Sequence, residues 1–262
     1  MTDPRRSAPV PLLVLAAVGA AFVVLPLVGL LQRVPWSDLL DELGTPAVRE
    51  ALKLSLATSL AATATSLVLG VPLAWVLARV AFPGRSLVRA AVTLPMVLPP
   101  VVGGAALLFA LGRRGLVGSW LEDALGVHLP FTTAGVVVAN TFVAMPFLVV
   151  SVEGALRGTD ERYEEAAATL GASRWAVLTR VTLPLVRPSL VAGALLCWAR
   201  ALGEFGATIT FAGNLPGRTQ TMPLAVFLAL ERDRGAAVVL SLVLVAVSLV
   251  VLVGLRDRWL RV

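Results

Sequence analysis

The sequence predicts an all-α, polytopic membrane protein of six spanning helices with one helical excursion outside the bilayer, and three observations carry that prediction. Hydrophobic residues make up 58% of the 262 residues and charged residues 15%, with a mean hydropathy of +0.88, against roughly 45–50% apolar and about 25% charged in soluble domains. A soluble fold lacks the polar surface to match that excess, and disordered chains are poor in apolar residues. Six stretches, 10–31, 54–78, 90–111, 132–152, 189–211 and 236–255, reach the length of about 20 apolar residues at which a helix crosses a bilayer with its backbone hydrogen bonds satisfied internally. Thirdly, five of these six stretches contain no Asp, Glu, Lys or Arg, the fifth alone carrying Arg200 and Glu204.

The first stretch follows Arg5 and Arg6, and Val18-Gly19-Ala20 resembles a signal cleavage site. Its apolar run continues to Leu31, past the ~7–15 residues of a signal core, so it reads as a retained anchor. Pro72 and Pro146 put kinks into the second and fourth spans, and Pro95, Pro99 and Pro100 together break the third. Such kinks serve packing or line a pathway, since freed carbonyls in a membrane need protein or water. Gly103, Gly104, Gly193, Gly203 and Gly206 read as sites of close helix packing.

Orientation follows the basic residues, which cytoplasmic loops concentrate. The termini, the loop with Arg79, Arg85 and Arg89, and the loop 157–188 hold 13 Arg, and the opposite set holds 8 basic residues. Both termini of the multi-pass chain are therefore expected on the cytoplasmic side of the membrane. The net charge of +6 is spread over loops rather than gathered in a stripe, which argues for topology signals facing anionic lipid and against a nucleic-acid partner.

Several chemistries are excluded. One cysteine, Cys197, and one histidine, His128, make neither a disulfide nor a zinc cluster, so no metal site is expected. The one lysine, Lys53, has no glycine-rich loop before it, so the chain has no phosphate-cradling G-x-x-x-x-G-K-[ST] of its own. An intramembrane enzyme needs a nucleophile and base together in the bilayer, and His128 falls in a loop. A secondary transporter predicts inverted repeats and buried coupling acids. No repeat is evident, and Glu204 is the one acid within the stretches.

Residues 157–188 read as a helix–turn–helix outside the membrane. Thr159 and Asp160 are N-cap candidates for a first helix running to Leu170, with Glu161, Glu164 and Glu165 at its positive end. Gly171 supplies a left-handed stop, Ser173 caps a second helix from Arg174 to about Thr182, and Pro184 ends it. The run Glu165-Ala166-Ala167-Ala168-Thr169-Leu170-Gly171 with Val181-Thr182-Leu183-Pro184 resembles the EAA loop of binding-protein-dependent ABC importer permeases. In that family the loop is the coupling helix that docks on the ATPase. The resemblance implies coupling roles for Glu165, Ala166, Ala167, Gly171, Leu183 and Pro184.

Arg200 and Glu204 lie four apart on one helical face and can pair. The pair either locks the helix to its neighbours or sits beside an anion's route. Arg200-Ala201-Leu202-Gly203-Glu204-Phe205-Gly206-Ala207, the external-loop words around Gly213, Asn214, Gly217, Arg218, Thr219, Thr221 and Pro223, and Leu94-Pro95-Met96-Val97-Leu98-Pro99-Pro100 resemble the molybdate and sulfate permease branch, closest to its molybdate side. That resemblance covers the whole chain, read as one transmembrane domain over 1–262. It implies a permease that imports molybdate, with sulfate, thiosulfate or tungstate as alternative cargoes. It also implies two copies around a central path, two ATPase subunits that use ATP and magnesium, and an extracytoplasmic oxyanion-binding protein, with no cofactor held by this chain. Asn140, Thr208 and Thr210 are candidate oxyanion donors along the path, beside Arg200, Glu204 and the three prolines.

Overall fold

The computed structural model describes residues 9–259 in backbone and 9–250 in side chains; the basic residues at the two ends that entered the orientation argument, and with them the tail Arg256-Asp257-Arg258-Trp259, whose sequence alone suggests an interfacial stop, have side chains outside that range. Among the described residues every regular element is helical. Three helices are long and apolar enough to cross a membrane: α1 (Val10–Gln32), α3 (Pro46–Arg79) and α7 (Thr133–Gly158).

α3 and α7 pack along their length and form the centre. The buried face of α3 is Ala51, Ser55, Thr58, Ser59, Ala62, Thr63, Ser66, Gly70 and Ala74, spaced three or four apart. Such a stripe of small side chains lets backbones approach, which drives helix association where lipid offers no hydrophobic gain. The hydroxyls of Thr58 and Thr63 return to their own helix by donating to Leu54 O and Ser59 O. α7 answers with Ala144, Leu148, Val149 and Val152, all fully buried against Leu77 and Ala74. Pro72 and Pro146 lie inside these helices without interrupting them.

The third and fifth stretches are not continuous. The third divides into α4 (Arg85–Val97) and α5 (Pro100–Leu111). Leu98 and Pro99 each precede a proline, which disfavours helical backbone, and both are extended, with ψ 137° and 131°. Pro95, by contrast, stays inside α4. The fifth divides into α11 (Arg187–Leu202) and α12 (Gly206–Phe211), parted by Gly203, Glu204 and Phe205. The sixth begins α14 (Arg234–Trp259).

The half-helices α5 and α12 lie against each other at the two breaks. A Cβ on Gly104 would stand 2.8 Å from Ala207 O and 2.7 Å from Thr210 Cβ, and one on Gly206 would stand 2.7 Å from Pro100 Cβ. On Gly193 it would stand 2.8 Å from Ser151 Cβ of α7. These are the packing glycines the sequence predicts. Gly203 is not one, since an added Cβ would meet only Ala199 O of its own helix, at 3.6 Å.

Short helices complete the chain: α2 (Leu39–Gly44), α6 (Gly118–Leu125) and α13 (Met222–Arg232). The sequence reading treats 212–235 as a loop and misses α13, whose 11 residues are too short to span. Its Met222 and Leu224 are buried, Met222 against Val48 and Ala51 of α3.

Gly104→Val is expected to lower the melting temperature of the detergent-purified chain by about 3–10 °C, because overpacking against a backbone oxygen costs about 1–3 kcal/mol. Gly154→Ala, where an added Cβ meets nothing within 4 Å, is the control and should leave it unchanged or slightly raised. Scanning fluorimetry checks both.

Candidate functional site

Two regions gather the chemically informative residues: the helical hairpin after α7, and the junction of the broken helices. The hairpin comprises α8 (Arg162–Thr169) and α9 (Arg174–Val177), continued through a π-helical turn, Leu178–Thr182, into α10 (Leu183–Leu185). Asp160 Oδ1 accepts from Arg162 N at 3.0 Å, and α8 starts later than the sequence suggests because α7 runs on to Gly158. α8 ends in a Schellman arrangement: Gly171 N donates to Ala168 O at 2.9 Å and Ala172 N to Ala167 O at 3.1 Å. Gly171 is left-handed, φ +86°, where only glycine sits without strain. Ser173 Oγ then caps α9 by accepting from Ala176 N.

Pro184 does not end this second helix. Lacking an N–H, it needs space at the preceding turn's carbonyl, and the chain widens into a π-turn in which Leu183 N donates to Leu178 O. The helical path reaches Leu185, and the 74° bend into α11 follows it. Glu165 and Ala166 are exposed, Ala167 and Leu183 partly so, and Pro184 is exposed. Tyr163, Leu170 and Trp175 stand 60%, 89% and 72% exposed on the same hairpin, an apolar outer surface on an otherwise polar segment.

Arginine ties the hairpin to the helical body. Arg79, at the last turn of α3, has a side chain only 8% exposed; its Nη1 lies 2.9 Å from Glu161 Oε1 and its Nη2 3.1 Å from Glu164 Oε1. Thr182 Oγ1 donates to the same Glu164 oxygen at 3.1 Å. Beside this, Arg85 Nε donates to Leu77 O at 2.7 Å, closing the carbonyl end of α3. Buried Glu153 on α7 holds Arg89 of α4 at 2.7 Å and Arg157 at 3.1 Å. The sequence reading used Arg79, Arg85, Arg89 and Arg157 as topology signals, placed Glu161 and Glu164 only as acids at the start of the first hairpin helix, and passed over Glu153. The one available signal was the i, i+4 spacing of Glu153 and Arg157.

At the second region, Glu204 sits in the break between α11 and α12. Its Oε2 lies 2.6 Å from Arg200 Nη1, and its Oε1 accepts from Ala207 N at 2.7 Å. The carboxylate thus neutralises Arg200 and takes up a free N–H at the start of α12, the reason a buried acid is tolerated there. These contacts tie α11 to α12 within their own segment. Asn140 and Thr208 are buried inside the chain, where Thr208 Oγ1 donates to Asn140 Oδ1 at 3.3 Å, so neither side chain is presented to an outer surface. Thr210 is partly buried, its hydroxyl donating to Gly206 O. Pro99 and Pro100 are exposed at the α4–α5 corner and Pro95 is partly buried.

The loop words past α12 build a latch. Gly213 and Gly217 are left-handed, φ +75° and +69°. Buried Thr219 accepts from Leu215 N, Thr133 Oγ1 donates to Arg218 O, and Met222 N donates to Ser55 Oγ. Thr221 is buried, Asn214 partly buried and Arg218 exposed, and Pro223 opens α13.

A helical body with broken helices and a protruding hairpin is a fold found in ABC transporters: the chain superposes on a chain of a crystal structure of a bacterial ABC transporter involved in the import of the acidic polysaccharide alginate with a TM-score of 0.73 over 96% of each chain, at 21% identity. Within that class it belongs to the family of binding-protein-dependent transport system inner membrane components, whose model matches residues 51–262. It is 50% identical over 245 residues to the molybdenum transport system permease protein ModB of Mycobacterium tuberculosis, covering 93% of this chain and 92% of that one. It is 37% identical over 239 residues to the sulfate transport system permease protein CysT of Escherichia coli, covering 90% and 86%.

Arg79→Gln removes a guanidinium that meets two carboxylates, at a cost of about 1.5–3 kcal/mol for charged hydrogen bonds. The expected outcome is a folded chain whose 159–186 segment becomes protease-sensitive, measured by limited proteolysis and mass spectrometry.

Proposed function

We propose that this chain is the permease subunit of an ATP-driven importer that moves molybdate across the cytoplasmic membrane. The observation that carries the cargo is the 50% identity to a molybdenum permease against 37% to a sulfate permease. In this reading the chain has six spans, two of them broken, with both termini and the hairpin on the cytoplasmic side. Two copies surround the path, an extracytoplasmic oxyanion-binding protein delivers the cargo, and two ATPase subunits, which use the ATP and magnesium, receive the two hairpins. The chain itself holds no cofactor.

The geometry supports a mechanical route. Tyr163, Leu170 and Trp175 offer the ATPase an apolar contact and Glu165 a charged one, while Ala166 and Ala167 permit close approach. Gly171 sets the bend, and Leu183 and Pro184 carry the second limb into α11. Displacement of the hairpin reaches α3 through Arg79 and Glu164, and α7 and α11 through the close-packed stripe of α3. ATP binding turns the path outward and hydrolysis resets it; loaded binding protein shifts this equilibrium by preferring one facing state. Because Glu204 already pairs with Arg200, in this reading the oxyanion meets hydroxyl, amide and backbone donors in place of a fixed charge that would retain it.

Vesicles rebuilt with the ATPase and binding protein are expected to take up molybdate, and the unmodified chain to bring down the ATPase. Gly171→Pro, which cannot adopt positive φ, should reduce both ATPase recovery and uptake at least about tenfold. Sulfate uptake without molybdate uptake would overturn the cargo, and failure to recover any ATPase the coupling.

A further inference from the structure

A cavity of about 410 Å³ opens at the end of the helical body opposite the hairpin. Arg113 reaches it from the end of α5, His128 from the loop before α7, and Arg218 from the latch after α12, with Leu108, Phe131 and Leu215 as walls. A second cleft of about 220 Å³ shares Leu108 and Arg113 and adds Arg114. Basic groups from three separate segments therefore converge on one concavity. The nearest acids are few: Glu122 lies 3.6 Å from Arg113, and Glu50 lies beside Gly217. Among the described residues neither Arg218 nor His128 takes part in an ion pair.

The backbone that presents these groups is fixed. Thr133 Oγ1 holds Arg218 O at 2.9 Å, and Arg218 N donates to Leu215 O at 3.1 Å. Phe131, which forms one wall, is the non-glycine residue with positive φ among the described residues, at +60°, and its ring fills the space where a Cβ on Gly213 would stand. A bulky residue in that conformation persists only where its surroundings over-determine it.

We propose that this vestibule is a receiving subsite for a small tetrahedral oxyanion on the extracytoplasmic face. The inference rests on the importer reading above and deepens it. The cavity exceeds a bare tetrahedral dianion several-fold, so the ion is held with its water. Arg113 is 65% exposed at the side chain, so attraction there is screened by solvent and salt. The site therefore concentrates the anion without retaining it, as a concave cluster of one sign does. The concavity is recessed between three segments and walled by Leu108, Phe131 and Leu215, which suits a small inorganic ion; a carboxylate from a docked protein is the alternative that the test separates.

The test uses the complete transporter carrying His128→Cys, the buried native Cys197 remaining in place, with Leu125→Cys on exposed α6 as reference. An anionic methanethiosulfonate is expected to modify the position-128 thiol about tenfold faster than a cationic one, relative to the reference, as electrostatic steering requires. Adding Arg218→Gln should lower that ratio about threefold, and sodium molybdate or sulfate, at constant ionic strength, should slow the anionic reagent. Equal ratios at the two positions, or no protection by either free anion, overturn the proposal. Protection by the binding protein alone also overturns it, assigning the arginines to protein docking. A transporter that carries neither molybdate nor sulfate but keeps the ratio and the protection would refute the proposed cargo and leave the subsite standing.

Discussion

A helix that is interrupted must have its loose N–H and C=O groups met by other partners, and the two broken helices of this chain are organised around that requirement. Leu98 and Pro99 interrupt one, Gly203 to Phe205 the other, and the half-helices that follow are packed against each other through Gly104 and Gly206. Glu204 completes the junction. Its carboxylate takes the Ala207 N–H and the Arg200 guanidinium together, so the charge that looks most expensive in the sequence is the group that makes the interruption tolerable.

The opposite problem arises at the other end of the helices, where charge is plentiful. There the chain spends its arginines on connections: Arg79 between α3 and α8, Arg89 between α4 and α7, Arg85 on the carbonyl end of α3. These contacts join the hairpin to helices that are otherwise packed through small side chains. Under the proposed coupling role the two kinds of contact suit a lever: directional ion pairs where the hairpin attaches, and close backbone packing along α3, α7 and α11 to distribute a displacement.

Elements with a strong local cause were legible. The bend at Gly171, the Ser173 cap and the break before Pro100 each follow from the conformational limits of one or two residues. Elements whose cause lies elsewhere in the chain were not. Pro184 was expected to end a helix, yet a π-turn absorbs it, because the chain must carry on into α11. Asn140 and Thr208 looked like free donors until the packing of α7 on α12 set them against each other. Glu153 fell beyond an apolar stretch and was passed over, since nothing local announces that arginines from two helices will meet on it.

By itself the sequence determined the solvent of this protein, the number and placement of its apolar stretches, and the hairpin with its left-handed bend, because composition, run length and single-residue backbone limits are properties of short segments. The tertiary structure alone decided which charges pair, which glycines carry contacts, and how basic residues 113, 128 and 218 come to face one cavity. Those depend on distances between segments up to about a hundred residues apart, which helix packing sets and no local pattern encodes.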